Sequence, residues 1–271
     1  MKFIEHRIAD RRILRLIRKW LQAGVMEDGR WSRTSVGTPQ GAVISPLLAN
    51  VYMHYVLDLW VEQWRGKRAE GDCIIVRYAD DFVMGFQHRH EAERFRMELE
   101  QRLGQFGLKL HPGKTRLIEF GRFAAERRRK RGQGRPATFE FLGFVHACGT
   151  TRTNGRFTVV RRTSTVRLRT KVKWLRAQLM IRRHRPIAEL GAWLGRVVQG
   201  HFNYFAVPGN GTRLGAFRTE VIRAWMHALR RRSQRHRMPW SRFARYVRWW
   251  MPRPRILHPY PSVRFDARHP R

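Results

Sequence analysis

A chain of 271 residues with 42% hydrophobic side chains can bury a sizeable core in one large or two ordinary domains, which excludes a disordered tail. The formal charge of +36, from 56 Lys+Arg against 20 Asp+Glu, points to nucleic acid rather than an acidic small molecule. Cys73 and Cys148 are the only cysteines, which argues against a disulfide scaffold or a structural zinc site, and no apolar run reaches about 18 residues. The start, Met1-Lys2-Phe3-Ile4-Glu5-His6, lacks a signal-peptide core, so the expectation is a soluble, cytoplasmic protein with no membrane partner.

Asp10 predicts the cap of a basic amphipathic helix over residues 11–23, with Ile13, Leu16, Ile17, Trp20 and Leu21 at helical spacing and Gly24 at its end. Residues 25–41 read as a loop closing in Gly37-Thr38-Pro39-Gln40-Gly41. Ser45-Pro46 then starts a helix to about residue 64, whose apolar face is Leu47, Leu48, Val51, Tyr52, Tyr55, Val56 and Leu59. A strand, turn and strand follow through Val76-Arg77-Tyr78-Ala79-Asp80-Asp81-Phe82-Val83. A helix over 91–103 leads through Gly107 into Leu108-Lys109-Leu110, the loop His111-Pro112-Gly113-Lys114-Thr115, and a short strand over 116–120.

Residues 122–137 read as an exposed, mobile basic loop containing Arg127, Arg128, Arg129, Lys130 and Arg131. A second hairpin is expected from Phe139-Glu140-Phe141-Leu142-Gly143-Phe144-Val145 across Asn154-Gly155 to residues 156–160. Helices are expected near 166–181, 187–205, 214–232 and 240–250, split by Pro186, Pro208-Gly209 and Pro239. Gly209-Asn210-Gly211 reads as a flexible connection without chemistry. The pattern change places a domain boundary at about residue 162, dividing 1–161 from 162–271.

Two adjacent carboxylates, Asp80 and Asp81, are the feature richest in chemistry. A bare Asp-Asp pair is usually a solvated turn, but here both flanks are too apolar for a solvated loop. Like charges at such a tip are relieved by a bound cation, most naturally a divalent metal, and that points to phosphoryl transfer. Charge is also uneven along the chain. Residues 1–150 carry 27 basic and 17 acidic side chains, and residues 151–271 carry 29 and 3, so the second half is the stronger candidate for an RNA backbone surface. Arginines and aromatics interleave there, as in Arg223-Ala224-Trp225 and Arg248-Trp249-Trp250, and such aromatics are more often core than stacking platforms. Arg230, Arg231 and Arg232 are further candidate RNA contacts.

In this order the motifs resemble the reverse transcriptase/maturase family encoded by group II introns. The matching residues are Gly37-Thr38-Pro39-Gln40-Gly41 with Ser45-Pro46-Leu47-Leu48-Ala49-Asn50, Tyr78-Ala79-Asp80-Asp81, Gly107-Leu108-Lys109-Leu110 with Lys114-Thr115, and Phe141-Leu142-Gly143-Phe144. The resemblance covers essentially the whole chain and implies an α+β fold. A palm-like antiparallel sheet with packed helices, containing part of the fingers, would be followed by a helical thumb or maturase domain.

The resemblance further implies RNA-directed DNA synthesis by two Mg2+ ions roughly 4 Å apart, with Asp80 a direct ligand and Asp81 an accessory one. Tyr78 and Ala79 would lie beneath the primer end. Pro39, Gln40 and Gly41 would lie over the incoming dNTP, and Lys114 would approach its phosphates. Phe141, Leu142, Gly143 and Phe144 would form the primer grip, although period-2 aromatics by themselves read as core. The partners implied are intron and template RNA, a DNA primer and dNTP.

The family's preceding strand, whose aspartate is the third metal ligand, has no counterpart in the motifs, and neither Asp10 nor Asp58 stands in for it. The expectation is therefore an incomplete metal site, little polymerase activity from this chain alone and an exposed sheet edge. Two readings compete with the polymerase: a non-catalytic RNA-binding splicing factor, and the remnant of a degraded reading frame.

Overall fold

The computed structural model describes residues 1–22, 25–27, 30–32, 44–151, 154–233 and 238–261. The chain has mixed helix and sheet with small antiparallel sheets, an α+β architecture, and forms two compact units, Met1–Leu117 and Ile118–Arg271. The change from strands to helices falls near residue 164, later in the chain than the limit between the compact units.

The first unit begins with a short helix α1 (Lys2–Glu5) and α2 (Arg11–Gln22), whose Arg12 amide is capped by Asp10 Oδ1 at 2.7 Å. Where a loop was expected, β1 (Val25–Glu27) pairs with β2 (Arg30–Ser32). The Asp28-Gly29 pair between them is the sequence signal that reading overlooked.

The helix expected over 45–64 is α3 (Ser45–Met53), a π-helical turn over His54–Asp58, and α4 (Leu59–Arg68). The extra residue in the π turn shifts the apolar stripe. Val56, Leu57, Val61 and Trp64 are buried, whereas Leu59, just after the turn and placed on the apolar face by a uniform 3.6 period, is exposed; Leu47, expected on the same face, is exposed as well. Arg102 donates to the carbonyls of Val56 at 3.1 Å and Tyr55 at 3.4 Å, satisfying acceptors within this turn.

The stripe packs against α5 (Arg89–Gln105), through Phe95, Leu99 and Leu103, and against one face of the hairpin β3 (Cys73–Tyr78) and β4 (Asp81–Phe86). Truncating a core side chain such as Leu57 to Ala is worth about 2–5 kcal/mol. Glu91, read only as a helix residue, is fully buried and accepts the backbone N–H of Glu70 at 2.7 Å and of Gly71 at 3.4 Å. Burial pushes its pKa up, but those two bonds and the nearby His88 and His90 outweigh it, so the carboxylate titrates below its usual range. Residues 116–120 form no strand.

The second unit opens with α6 (Ala124–Lys130), so part of the expected basic loop is helical. A three-stranded sheet follows: β5 (Phe139–Phe141), β6 (Phe144–Thr150) and β7 (Phe157–Thr163), in the order β5-β6-β7. The expected single hairpin is thus two, and the first turns at Leu142-Gly143.

Among the described residues four helices follow: α7 (Thr165–Ile181), α8 (Ile187–Phe205), α9 (Gly211–Arg230) and α10 (Trp240–Trp250). Their core is built on Leu175, Leu194, Phe202, Phe217, Trp225 and Phe243. Asn210, read as part of a flexible connection, is buried and joins the sheet to this core. Its side chain accepts the Thr163 amide at 2.9 Å and donates to Thr163 Oγ1 at 2.7 Å and the Phe205 carbonyl at 2.8 Å.

Candidate active site and nucleic-acid surfaces

Antiparallel pairing sets Tyr78 opposite Asp81 and leaves Ala79 and Asp80 as a two-residue loop. Only the first loop residue has a positive φ, Ala79 at 55°, the requirement of a type II′ turn that glycine usually meets. An alanine held there costs about 1–2 kcal/mol. Such strain persists only where the surroundings over-determine it, as at functional sites.

The surroundings in this case are a residue that motif reading passed over. Arg77 faces the helices and is bound bidentately by Asp58, Nε to Oδ1 at 2.7 Å and Nη2 to Oδ2 at 2.6 Å. Its remaining nitrogen, Nη1, donates to Asn50 Oδ1 at 3.0 Å and to the carbonyl of Ala79 at 2.8 Å. The guanidinium therefore straps the acidic turn to the helix carrying Asn50 and to the π turn carrying Asp58. The hydrogen bond to Asp58 raises the pKa of Arg77, so the strap is always charged. From the sequence, Arg77 lies in the stretch that carries the acidic pair and Asp58 on a helix, with nothing to mark the two as partners.

Asp80 and Asp81 are both exposed. Asp81 shares a sheet face with Tyr78 and Val76, its diagonal neighbour, and Ile74 continues that face; Ile74, Val76 and Tyr78 are exposed, while Cys73, Ile75 and Arg77 face the helices. The carboxylates thus stand at one end of an open apolar floor. They are hard oxygen donors of the type Mg2+ takes, and that ion commonly uses one or two carboxylates with substrate phosphates and water. Among the described residues no group of three or more His, Cys, Asp and Glu is placed to hold a metal. The pair fits as part of a ligand set.

Lys114 is exposed in a turn whose amide bonds to the His111 carbonyl at 3.1 Å. Pro39, Gln40 and Gly41 lie outside the described residues. Phe141-Leu142-Gly143-Phe144 forms a two-residue turn with positive φ at both Leu142 (50°) and Gly143 (79°), the type I′ requirement. It is held from behind. Tyr204 Oη donates to the Leu142 carbonyl at 2.9 Å, the Ser164 amide to the Gly143 carbonyl at 3.0 Å, and Phe144 packs on Tyr204 and Phe205.

Several of the basic candidates are engaged within the chain. Arg127 and Arg131 pair with Glu119, Lys130 with Glu126 at 2.9 Å, and Arg128 Nε donates to the Gly134 carbonyl at 2.9 Å. Arg129 lies on the same helix. At the end of α9, Arg230 Nε donates to the Met238 carbonyl at 3.4 Å and Arg232 Nη2 to the Arg185 carbonyl at 2.6 Å, while Arg231 is exposed. Burial lowers the pKa of Arg232.

The family profile described as "Reverse transcriptase (RNA-dependent DNA polymerase)" matches residues 2–146, more than half of the chain. The chain belongs to the reverse transcriptase family. Among its relatives, the group II intron-encoded protein LtrA of Lactococcus lactis subsp. cremoris is 45% identical over 64 residues, 24% of this chain and 10% of LtrA. Protein YkfC of Escherichia coli is 35% identical over 150 residues, 43% of this chain and 38% of YkfC. The "Uncharacterized 91 kDa protein in cob intron" of Schizosaccharomyces pombe is 42% identical over 64 residues, 24% of this chain and 8% of that protein. The matches therefore span well under half the length of each of these relatives. The resemblance to group II intron reverse transcriptase/maturases is borne out, and the acidic turn lies within the matched segment. No helix among the described residues is long and apolar enough to cross a membrane.

Proposed function

We propose that this chain carries the palm hairpin and thumb of a group II intron-type reverse transcriptase, residues 1–161 being palm with part of the fingers and 162–271 the helical thumb. The reaction is RNA-templated extension of a DNA primer by dNTP. The observation that carries it is the Tyr78-Ala79-Asp80-Asp81 turn, strained at Ala79 and strapped by Arg77, inside the segment the family profile matches.

In this reading Asp80 and Asp81 hold Mg2+, with Asp80 the direct ligand. When bound, the metal lowers the pKa of the primer hydroxyl and neutralises charge on the leaving pyrophosphate. Tyr78 and Val76 offer the primer end an apolar floor, and Arg77 fixes the turn's height above it. The turn at Leu142-Gly143 holds the primer strand, with Tyr204 and Ser164 anchoring its carbonyls. Two carboxylates are part of a ligand set, so extension by the chain alone is expected to be weak.

The test is primer extension on an RNA template in Mg2+ with wild-type chain and Asp80→Asn. Extension lost in the variant supports the proposal. A second reading, RNA binding in support of intron splicing without polymerisation, is favoured by the 29 basic against 3 acidic side chains after residue 150. Stimulated splicing that survives Asp80→Asn, with no extension by either protein, would favour it. In both readings RNA affinity falls steeply with salt through counterion release.

A further inference from the structure

Between α8 and the chain that follows α10 lies a groove of about 550 Å³, lined among others by Gly195, Gln199, Arg248, Trp249, Arg253 and Arg255. Its walls are fixed by backbone contact. A Cβ on Gly191 would stand 2.5 Å from the Trp250 ring, and one on Gly195 would stand 2.7 Å from the Trp250 carbonyl oxygen. The chain therefore approaches α8 as closely as glycine permits. Beyond this point, Arg218 Nε donates to the Pro252 carbonyl at 2.9 Å. The amides of Leu257 and His258 both donate to the Ala206 carbonyl, at 2.9 and 3.1 Å. The segment is thus held at both ends along the helix, and the groove is a built feature.

Trp249 is the anomaly in this groove. Trp250 packs on the helical core and Met251 is buried, whereas Trp249, one position earlier on α10, is 80% exposed. A bare indole of this size is a poor use of apolar surface unless something covers it. Its setting is strongly positive. Arg248, Arg253 and Arg255 share the groove, no lining residue among the described ones is acidic, and the pKa of the adjacent Arg218 is pushed down by burial and then by Arg253. The carboxylate of Glu220 on α9 is already taken by Arg176 and Arg223.

A flat aromatic platform among guanidinium groups that have no ion-pair partner among the described residues is the combination that binds an unpaired base with its phosphates. In a duplex the base faces are stacked on one another and closed to such a platform. A small anion would have no use for the indole, and an apolar partner would have to desolvate the arginines.

We infer that this groove docks single-stranded RNA, with one unpaired base stacked on Trp249 and the flanking phosphates on Arg248, Arg253 and Arg255. The inference rests on the reading of the C-terminal residues as RNA-binding, and gives that reading a strand preference and an address.

The experiment measures binding of the full chain to a twelve-nucleotide single-stranded RNA and to a duplex RNA of the same sequence, at one salt concentration, by fluorescence anisotropy. Trp249→Ala should weaken single-strand binding by at least about fivefold, the low end of what stacking contributes per base, with the duplex affinity unchanged. Trp249→Phe should restore most of the loss, and Arg255→Glu should weaken both RNAs. Equal single-strand affinity for wild type and Trp249→Ala overturns the inference and leaves the RNA-binding reading standing. So does an equal loss for both RNAs, or a loss confined to vesicles of anionic lipid or to a polyglutamate peptide. If the wild-type chain binds neither RNA, the reading and the inference fall together.

Discussion

Arg77→Lys keeps a positive charge beneath the acidic turn but removes the fork that connects it to the helices. The guanidinium makes two bonds to Asp58, at 2.7 and 2.6 Å, one to Asn50 at 3.0 Å and one to the Ala79 carbonyl at 2.8 Å. A lysine ammonium is a point donor and cannot span these partners, so one Asp58 bond and at least one of the others are lost. A net bond to a charged partner is worth roughly 1.5–3 kcal/mol and a neutral one roughly 0.5–1.5. The Arg77 and Asp58 side chains are 15% and 32% exposed, which calls for the lower end of each range through solvent screening. The expected loss is about 2 kcal/mol.

Because the strap serves one hairpin, the sensitive assay is amide hydrogen exchange in β3 and β4, which should speed up by roughly thirtyfold, with urea unfolding as a global check. A double-mutant cycle with Asp58→Asn should give a coupling above about 1 kcal/mol. Unchanged exchange in both strands, or additive effects of the two substitutions, would refute the strap.

Ala79→Gly removes the positive-φ penalty and should stabilise the first unit by about 0.5–1 kcal/mol after the added unfolded-chain entropy, measured by urea midpoint; destabilisation would show that the turn is unstrained. His201 is buried against Phe217, with ring centroids 3.8 Å apart and Nε2 unpartnered; burial and then Lys171 lower its pKa to about 4. The unfolded chain takes up this proton near pH 6.5 while the folded chain resists until about 4. The contribution to stability is therefore full above 6.5 and lost as pH falls to 4, by about 3 kcal/mol in all. His201→Phe should remove this slope from the pH dependence of thermal unfolding, and parallel curves for both proteins would contradict it.

The helices after residue 164 were legible because prolines punctuate the stretch and α8, α9 and α10 carry a helical apolar period; Pro186 and Pro239 stand at the starts of α8 and α10 as the pattern required. The acidic hairpin was legible from the apolar runs flanking two carboxylates. Where the period was broken, reading failed: the π turn at His54–Asp58 moved burial from Leu59 to Leu57. Pairings across long sequence separations were invisible too. Arg77 with Asp58, Asn210 with Thr163 and buried Glu91 with the amides of Glu70 and Gly71 each join residues at least nineteen positions apart. The basic stretch near residue 127 misled because charge alone suggested a solvated loop, whereas Glu119 and Glu126 pair with cations on a short helix. Trp249 misled in the opposite sense, since a helical aromatic beside an apolar neighbour reads as core.

The claim on which the account turns is that the tip of the β3–β4 hairpin binds a divalent ion beside nucleic acid. Paramagnetic broadening by Mn2+ of the backbone amide resonances of Tyr78 to Asp81, recorded with a DNA primer annealed to an RNA template, tests it most directly. The account predicts selective broadening of these amides that Mg2+ reverses by competition and that Asp80→Asn weakens at least tenfold. Broadening that spares the turn, or that is identical in the wild type and Asp80→Asn, would contradict it.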